Sequence, residues 1–425
     1  MAAAKIISAV IDKKTSLDGM MDAEHGNPAY RSLNFADRAL VRAIVNSALR
    51  HLPRIETAIS MMLDGPLPQG ARSLHHVLVV AVAQMLYLDV PDHSAVDLAV
   101  EQAHRDPRNK RFVKLVNAVL RRLGREKDAV MAAIDAVPVL PDWFYNRLVK
   151  SYGEEAASRI AASQLLPSSI DVTVKSDPDH WAKELNGTVL PNGSVRLGSF
   201  EGQVSALPGF AEGEWWVQDF SASMPVRLMG DLKGKRVADL CAAPGGKTAQ
   251  LVLAGAKVTA LDQSGNRLKR LRSNLERLGF EAETIEANML KYQPGELFDT
   301  VLLDAPCSST GTMRKHPDVS WTKDEKDIAK LATLQEQMLR QALTLVKDGG
   351  MIVFSNCSLD PSEGEEMVAR VLASDSNLER VPVEAKDLPG MEIAINASGD
   401  LRTTPDMFGG VDGFYATVLR KRSPA

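Results

Sequence analysis

Cysteine is scarce in this chain, at three of 425 residues. A secreted disulfide framework favours an even number in a short chain, so none is expected. Cys241, Cys307 and Cys357 form no Cys-x-x-Cys spacing, which argues against a zinc site. Long apolar runs are also missing. No stretch of about 18 uninterrupted apolar residues occurs, so no membrane span is expected. Residues 1–7 hold one lysine and no long apolar run follows before Asp12-Lys13-Lys14, so no signal peptide is expected and the expected location is cytoplasmic. Neither sign of charge dominates, with 50 Lys and Arg against 54 Asp and Glu. A net charge of −4 does not by itself advertise a nucleic-acid partner. The sequence contains no internal repeat and no low-complexity tract.

In bulk, 45% hydrophobic and 24% charged residues are ordinary for a soluble globular protein, and the length suggests two or three domains. The stretch Asp239-Leu240-Cys241-Ala242-Ala243-Pro244-Gly245-Gly246-Lys247-Thr248 stands between the apolar run Val237-Ala238 and a helix-like run over 249–253. That pattern is strand, glycine turn, helix, and glycine lets backbone amides approach a ligand closely. Gly246-Lys247-Thr248 ends like a P-loop. A P-loop also needs a glycine five positions before its Gly-Lys pair, and Cys241 stands there. Three further apolar runs end in polar or nucleophilic residues: 258–261 at Asp262, 300–303 at Asp304-Ala305-Pro306-Cys307, and 351–354 at Ser355-Asn356-Cys357-Ser358. In an open parallel α/β sheet, ligands bind outside the carboxyl ends of the strands, and an acid after the second strand suits a ribose hydroxyl pair. A lone cysteine is ordinarily a small buried hydrophobe. Three at strand ends on one ligand edge point to chemistry for at least one of them.

Asp-Leu-Cys-Ala-Ala-Pro-Gly-Gly-Lys-Thr (239–248), Asp-Ala-Pro-Cys-Ser-Ser-Thr-Gly (304–311) and Asn-Cys-Ser-Leu-Asp-Pro-Ser-Glu (356–363) together resemble the S-adenosylmethionine-dependent RNA 5-methylcytosine methyltransferases. The likeness is closest to the bacterial Sun/Fmu (RsmB-like) type acting on small-subunit ribosomal RNA. It implies a Rossmann-like, seven-stranded methyltransferase sheet whose last strand, over 413–419, is antiparallel. It implies S-adenosylmethionine as methyl donor, no metal, and RNA as partner, with small-subunit ribosomal RNA preferred over transfer RNA; a monomer is expected. Carried over residue by residue, Cys357 is the nucleophile, Cys307 assists release of the methylated product, and Asp304 contacts the target base. Cys241, Ala242, Ala243, Pro244, Gly245, Gly246 and Lys247, with Asp262, Asn288 and Asp304, would hold the donor. Two positions depart from the pattern. The family usually has Thr before its nucleophile, where this chain has Asn356, and Asp at the adenine-contacting position, where this chain has Asn288. An amide both accepts and donates hydrogen bonds, so adenine can still be recognised.

The chemistry explains these residue types. Carbon 5 of cytosine is a poor nucleophile until a thiolate adds to carbon 6 and turns the ring into an enamine. Cysteine suits that task because a cationic or polar site lowers its pKa from about 8.5, and a carboxylate suits contact with ring nitrogen 3. A Pro-Cys nucleophile, as in DNA cytosine methyltransferases, would select Cys307; the RNA type carries both thiols and uses the second. Lys247 either acts near the base or caps the turn.

Residues 1–136 read as helical. Apolar positions recur at helical spacing over 35–49 with Asn34 as N-cap; 74–85 is apolar nearly all round, as in a central bundle helix; and a stripe over 112–123 is expected to end at Gly124. Residues 1–140 carry 18 Lys and Arg against 15 Asp and Glu, and the remainder 32 against 39. The basic residues gather between Arg105 and Lys127, either a solvated helix face or an RNA patch. This segment resembles the NusB-like RNA-binding domain that precedes the enzyme in the Sun/Fmu type, most clearly at Leu115-Val116-Asn117-Ala118-Val119-Leu120-Arg121-Arg122. Pro138 and Pro141 mark a boundary. Residues 137–222, with strands over 170–175 and 193–198, read as a small α+β linker subdomain; Trp215 and Trp216 there are expected in a core. Residues 223–425 hold the methyltransferase sheet, with a long helix over 331–346 before Gly349-Gly350. Arg314, Lys315 and His316 are expected on a loop beside the site, either gripping phosphate or merely exposed. Two other function classes compete. A non-catalytic RNA-binding or assembly protein has no use for Cys307, Cys357 and Asp304. A methyltransferase acting on DNA or a small molecule leaves the helical N-terminal domain without a task.

Overall fold

The computed structural model describes residues 1–22, 24–68, 70–200 and 202–423. Two compact units emerge. One is Met1–Leu166 with Met313–Asp324, and the other is Pro167–Thr312 with Glu325–Ala425. None of the helices among the described residues is long and apolar enough to cross a membrane.

The first unit is helical, for the reason its periodicity gives. Helix Arg72–Tyr87 is buried along almost its whole length. Amphipathic helices Ala2–Lys13, Phe35–Arg50, Leu52–Met62, Asp92–Arg105 and Val113–Arg125 pack their apolar faces on it. Asn34 caps the second of these, its Oδ1 accepting from Asp37 N at 2.8 Å. Gly124 does not end its helix, which runs on to Arg125. The next helix, Lys127–Ile134, follows after a single residue, so no left-handed turn is needed there. On Val113–Arg125 the residues Val116, Val119, Leu120 and Leu123 are buried. Lys114, Arg121 and Arg125 lie exposed at spacings of seven and four, a basic stripe on the opposite face.

This unit extends past the proline boundary. Helices Asp142–Tyr152 and Glu154–Ser163 pack on each other and belong to it, so the compact division falls at Leu166, not at 136. Pro138 and Pro141 interrupt the helices without ending the packed body. The segment Met313–Asp324 also belongs here. Leu17 N donates to Asp318 Oδ2 at 2.9 Å, Trp321 Nε1 to Leu49 O at 2.9 Å, and Arg50 Nη2 to Arg314 O at 2.8 Å. The expectation that Arg314 lies on a loop free to grip phosphate is therefore corrected: it is only 1% exposed. His316 faces Asp18 at 3.4 Å.

The second unit holds two sheets. In the smaller, strands β1 (Asp171–Val174), β2 (Thr188–Val189), β3 (Val195–Arg196) and β4 (Trp215–Val217) pair antiparallel in the order β2-β3-β1-β4. Trp215 and Trp216 are buried, their indole N–H groups donating to Pro208 O and Gln218 Oε1 at 2.9 Å each. They are core, as expected.

The larger sheet comprises β5 (Arg236–Leu240), β6 (Lys257–Asp262), β7 (Glu283–Glu286), β8 (Phe298–Asp304), β9 (Val346–Asn356), β10 (Leu378–Arg380), β11 (Leu401–Thr403) and β12 (Phe414–Lys421). Seven of these follow the order β10-β12-β9-β8-β5-β6-β7, and β11 pairs with β12. Strands β5 to β9 are parallel, while β12 runs antiparallel to β9. The expected seven-stranded arrangement is present, with the short β11 added beside β10 on the edge of β12 away from β9. Strand β9 starts directly after helix Glu325–Leu345, ahead of Gly349-Gly350. A Cβ at Gly350 would stand 2.7 Å from Asp299 O, which explains the glycine as a close approach of strands instead of a break. From β5 the chain proceeds to β6 and β7 on one side and returns through β8 and β9 on the other. The crevice for a ligand is therefore at the carboxyl ends of β5 and β8.

Candidate active site

Each strand end contributes one piece. After β5 the chain turns through Cys241, with φ 62°, and Gly245, with φ 104°, into helix Gly246–Leu253. Gly245 is required both by that conformation and by space, because a Cβ would lie 2.9 Å from Leu271 Cγ. Leu268, Leu271 and Leu275 bury helix Gly265–Arg277 in one cluster with Ala242 and Ala243, which fixes the turn. Asp239 is fully buried. Its Oδ2 accepts from Thr248 Oγ1 at 2.6 Å, while Oδ1 has no hydrogen-bond partner among the described residues. Burial pushes this carboxyl up from 3.8 to about 7.

Asp262, ending β6, joins the turn to the helix that follows it. Its Oδ2 accepts from Ala243 N at 3.3 Å and faces Arg267 Nη1 at 3.1 Å, and its Oδ1 accepts from Ser264 N at 3.0 Å. Asn288, just past β7, accepts from Leu290 N at 3.0 Å. Asp304, ending β8, accepts from Lys247 Nζ at 2.7 Å on one oxygen and from Ser355 Oγ at 2.9 Å on the other. Lys247 is thus Asp304's partner, its ammonium 5.2 Å from the centre of the Phe414 ring.

The sulfurs of Cys307 and Cys357 are 3.4 Å apart. The hydrogen bond to Cys357 holds the Cys307 thiol well above its ordinary pKa, reinforced by burial and by the charges of Cys357 and Glu363. Cys241 is pushed up to about 12 by burial and by Asp304, Asp262 and Asp239 around it, so it stays a thiol. Asn356 has a defined place. Its Nδ2 donates to Glu363 O at 2.7 Å and its Oδ1 accepts from Ser358 N at 2.9 Å, which shapes the turn carrying Cys357. Thr has no amide to span both contacts.

Two cavities collect these groups. One of about 300 Å³ is lined by Asp262, Asn288, Asp304, Cys307 and Cys357 among others. A second, of about 370 Å³, is lined by Asp239, Ala242, Pro244, Gly245, Gly246 and Lys247 among others. Cys241, Ala243 and Asp304 line both. All the site residues singled out in the sequence therefore meet at one edge of one sheet. Such volumes suit a small ligand. Sequence reasoning assigned no role to Arg267, or to Glu363, which closes the third motif without any pattern marking it as buried.

A profile described as "16S rRNA methyltransferase RsmB/F" matches residues 228–420, and a NusB family profile matches residues 1–125. Among curated proteins, the chain is 33% identical to "Ribosomal RNA small subunit methyltransferase B" of Klebsiella pneumoniae subsp. pneumoniae, over 99% of this chain and 98% of that protein. The protein of the same name from Vibrio vulnificus is also 33% identical, over 99% of each chain. Among solved structures, that of PH0851 superposes with a TM-score of 0.74 at 21% identity, covering 98% of this chain and 99% of the other. The fold is shared over 98% of the chain.

Proposed function

The chain belongs to the 16S rRNA methyltransferase RsmB/F family, and from that premise we propose that it transfers a methyl group from S-adenosylmethionine to carbon 5 of a cytosine in small-subunit ribosomal RNA. The transfer runs through a covalent bond between Cys357 and the base. The observation that carries this reading is the pair of thiols 3.4 Å apart, lining one cavity with Asp304, Asp262 and Asn288.

S-adenosylmethionine, when bound, supplies a methyl group on a positively charged sulfur. Asp262 and Asn288 suit the ribose and adenine. The turn 241–247 and the unpartnered Asp239 Oδ1 suit the amino-acid part, whose ammonium would satisfy that oxygen. Lys247 and Asp304, held together, present a donor and an acceptor to the ring edge. The Cys357 thiolate adds to carbon 6, and the ring's electron pair moves to carbon 5, which takes the methyl group as the donor's sulfur–methyl bond breaks and its electron pair stays on sulfur, releasing S-adenosylhomocysteine. The bond to carbon 6 takes away the Cys357 charge and hydrogen bond that kept the proton on Cys307. Cys307 then loses its proton to solvent and, as a thiolate, takes the proton from carbon 5. The bond from carbon 6 to sulfur breaks and Cys357 returns as a thiolate. Residues 1–136, with the exposed stripe Lys114, Arg121 and Arg125, serve as the RNA-binding part.

The test separates the two thiols. Cys357→Ala is expected to lose both methylation and any protein–RNA adduct. Cys307→Ala is expected to attack, transfer and stall, leaving an adduct that survives denaturing electrophoresis in the presence of donor. The reverse pattern would make Cys307 the nucleophile, and no adduct in either variant or in the wild type would remove the covalent step. Bisulfite sequencing of RNA from cells with and without the protein reads the product.

A further inference from the structure

Each of the paired cysteines is followed by a serine, Ser308 after Cys307 and Ser358 after Cys357, and both serines bind one carboxylate. Glu363 is completely buried. Its Oε1 accepts from Ser308 N and from Gln335 Nε2, each at 2.9 Å. Its Oε2 accepts from Ser308 Oγ and, at 2.6 Å, from Ser358 Oγ. The same Gln335 amide also donates to Pro306 O at 2.9 Å. Glu363's own backbone oxygen accepts from Asn356 Nδ2 at 2.7 Å. One side chain thus ties the loop after β8 to the loop after β9 at the residue next to each thiol.

We infer that Glu363 is a positioning residue that holds Cys307 and Cys357 in contact and keeps the proton on Cys307. This rests on the covalent reading above for its catalytic consequence, though not for its effect on the thiols. The reasons are geometric and electrostatic. Two loops with no covalent link between them need a reason to keep two sulfurs at 3.4 Å, and a buried acceptor whose donors come from both loops supplies one. The hydrogen bonds from Ser308, Ser358 and Gln335 favour the ionised carboxylate. Burial works against this and pushes the Glu363 pKa up. A negative charge in a low-dielectric setting near Cys307 resists a second negative charge there. A Cys307 that releases its proton reluctantly is the stronger base once it does.

The test uses the full chain. Iodoacetamide alkylation of each cysteine is followed by mass spectrometry across pH, without RNA. In Glu363→Gln the Cys307 profile is expected to move down by about one pH unit or more, so that Cys307 reacts roughly ten-fold faster in the rising part of the wild-type curve. Glu363→Asp, which keeps the charge, should recover part of the shift. With RNA and donor, the adduct should persist about ten-fold longer in Glu363→Gln, while S-adenosylmethionine affinity measured calorimetrically stays within about two-fold, a split that general loosening of the site would not give. A folded Glu363→Gln with the wild-type Cys307 profile overturns the inference. Should that variant not fold, Ser358→Ala removes a single contact and is expected to shift the Cys307 profile in the same direction by less; an unchanged profile there overturns it equally. Absence of adduct from both wild type and Cys307→Ala would sink the covalent reading, while the alkylation arm would still decide what Glu363 does to the thiols.

Discussion

The two units use charge in opposite ways. In the methyltransferase unit, Asp239, Asp262, Glu363 and Asp400 are buried acids, and each is tied to particular donors: Asp400, for example, accepts from Tyr415 OH at 2.7 Å and from Thr417 Oγ1 at 2.6 Å. Along helix Val113–Arg125 of the helical unit the charge is basic and mostly exposed. Some of the basic residues in this unit pair with near neighbours at the surface, as Arg105 does with Glu101 and Arg122 with Glu126, contacts worth little in water. Lys114 and Arg125 make no ion pair among the described residues. A buried charge is costly unless it is held, so it fixes geometry. A solvated one is cheap and screened, so it attracts without specifying. The first kind suits a reacting base, and the second an RNA backbone.

The largest effect that would sharpen this contrast is on pH-dependent stability. Asp239 has a folded pKa raised from 3.8 to about 7, so the folded state holds its proton longer than the unfolded state. Stability from this group is fully present below about pH 4 and is lost as pH rises through 7. Asp239→Asn removes the loss. Its stability advantage over wild type should grow between about pH 4 and 7 and level off above, by up to about 4 kcal/mol for a shift of that size. Denaturant melts of both proteins across pH give the difference, and a constant difference would show that Asp239 is not the titrating group.

Next in size is donor binding. Asp262→Ala should weaken S-adenosylmethionine by about 1.5–3 kcal/mol, the value of hydrogen bonds to a charged group. Unchanged calorimetric affinity in a folded variant would move the ribose elsewhere. Smallest per residue, but diagnostic of the other kind of charge, is the helical stripe. Lys114→Gln, Arg121→Gln and Arg125→Gln together should flatten the salt dependence of RNA binding by up to about 0.9 in log–log slope per lost phosphate contact, and leave donor affinity alone. Equal salt slopes would reduce the stripe to a solvated face. Point changes are the better instrument here than truncation. Removing residues 1–136 would strip Met313–Asp324 of its partners Leu17, Leu49 and Arg50, and so disturb more than RNA binding.

Much of this was legible beforehand where the signal is local. Each of the four apolar runs lies in a strand that ends one or two residues beyond it, Asn34 caps its helix, and the all-apolar run over 74–85 is in the central helix. Misreadings came where partners are distant. Arg314 looked like an exposed basic loop because nothing in its neighbours shows that the segment is buried with Leu17 and Leu49. The unit boundary followed the prolines, which report backbone breaks and not packing. Glu363 stood in a motif without a role, because the serines that bind it flank two different strands.

The sequence by itself determined which residue types stand at the carboxyl ends of the strands and which faces of the helices are apolar, because alternation and helical period are written along the chain. Tertiary structure alone decided that Cys307 and Cys357 touch, that Lys247 meets Asp304, and that one buried glutamate binds both cysteine loops. Those contacts depend on the order of strands in the sheet. That order is set by how whole elements pack, and no local pattern encodes it.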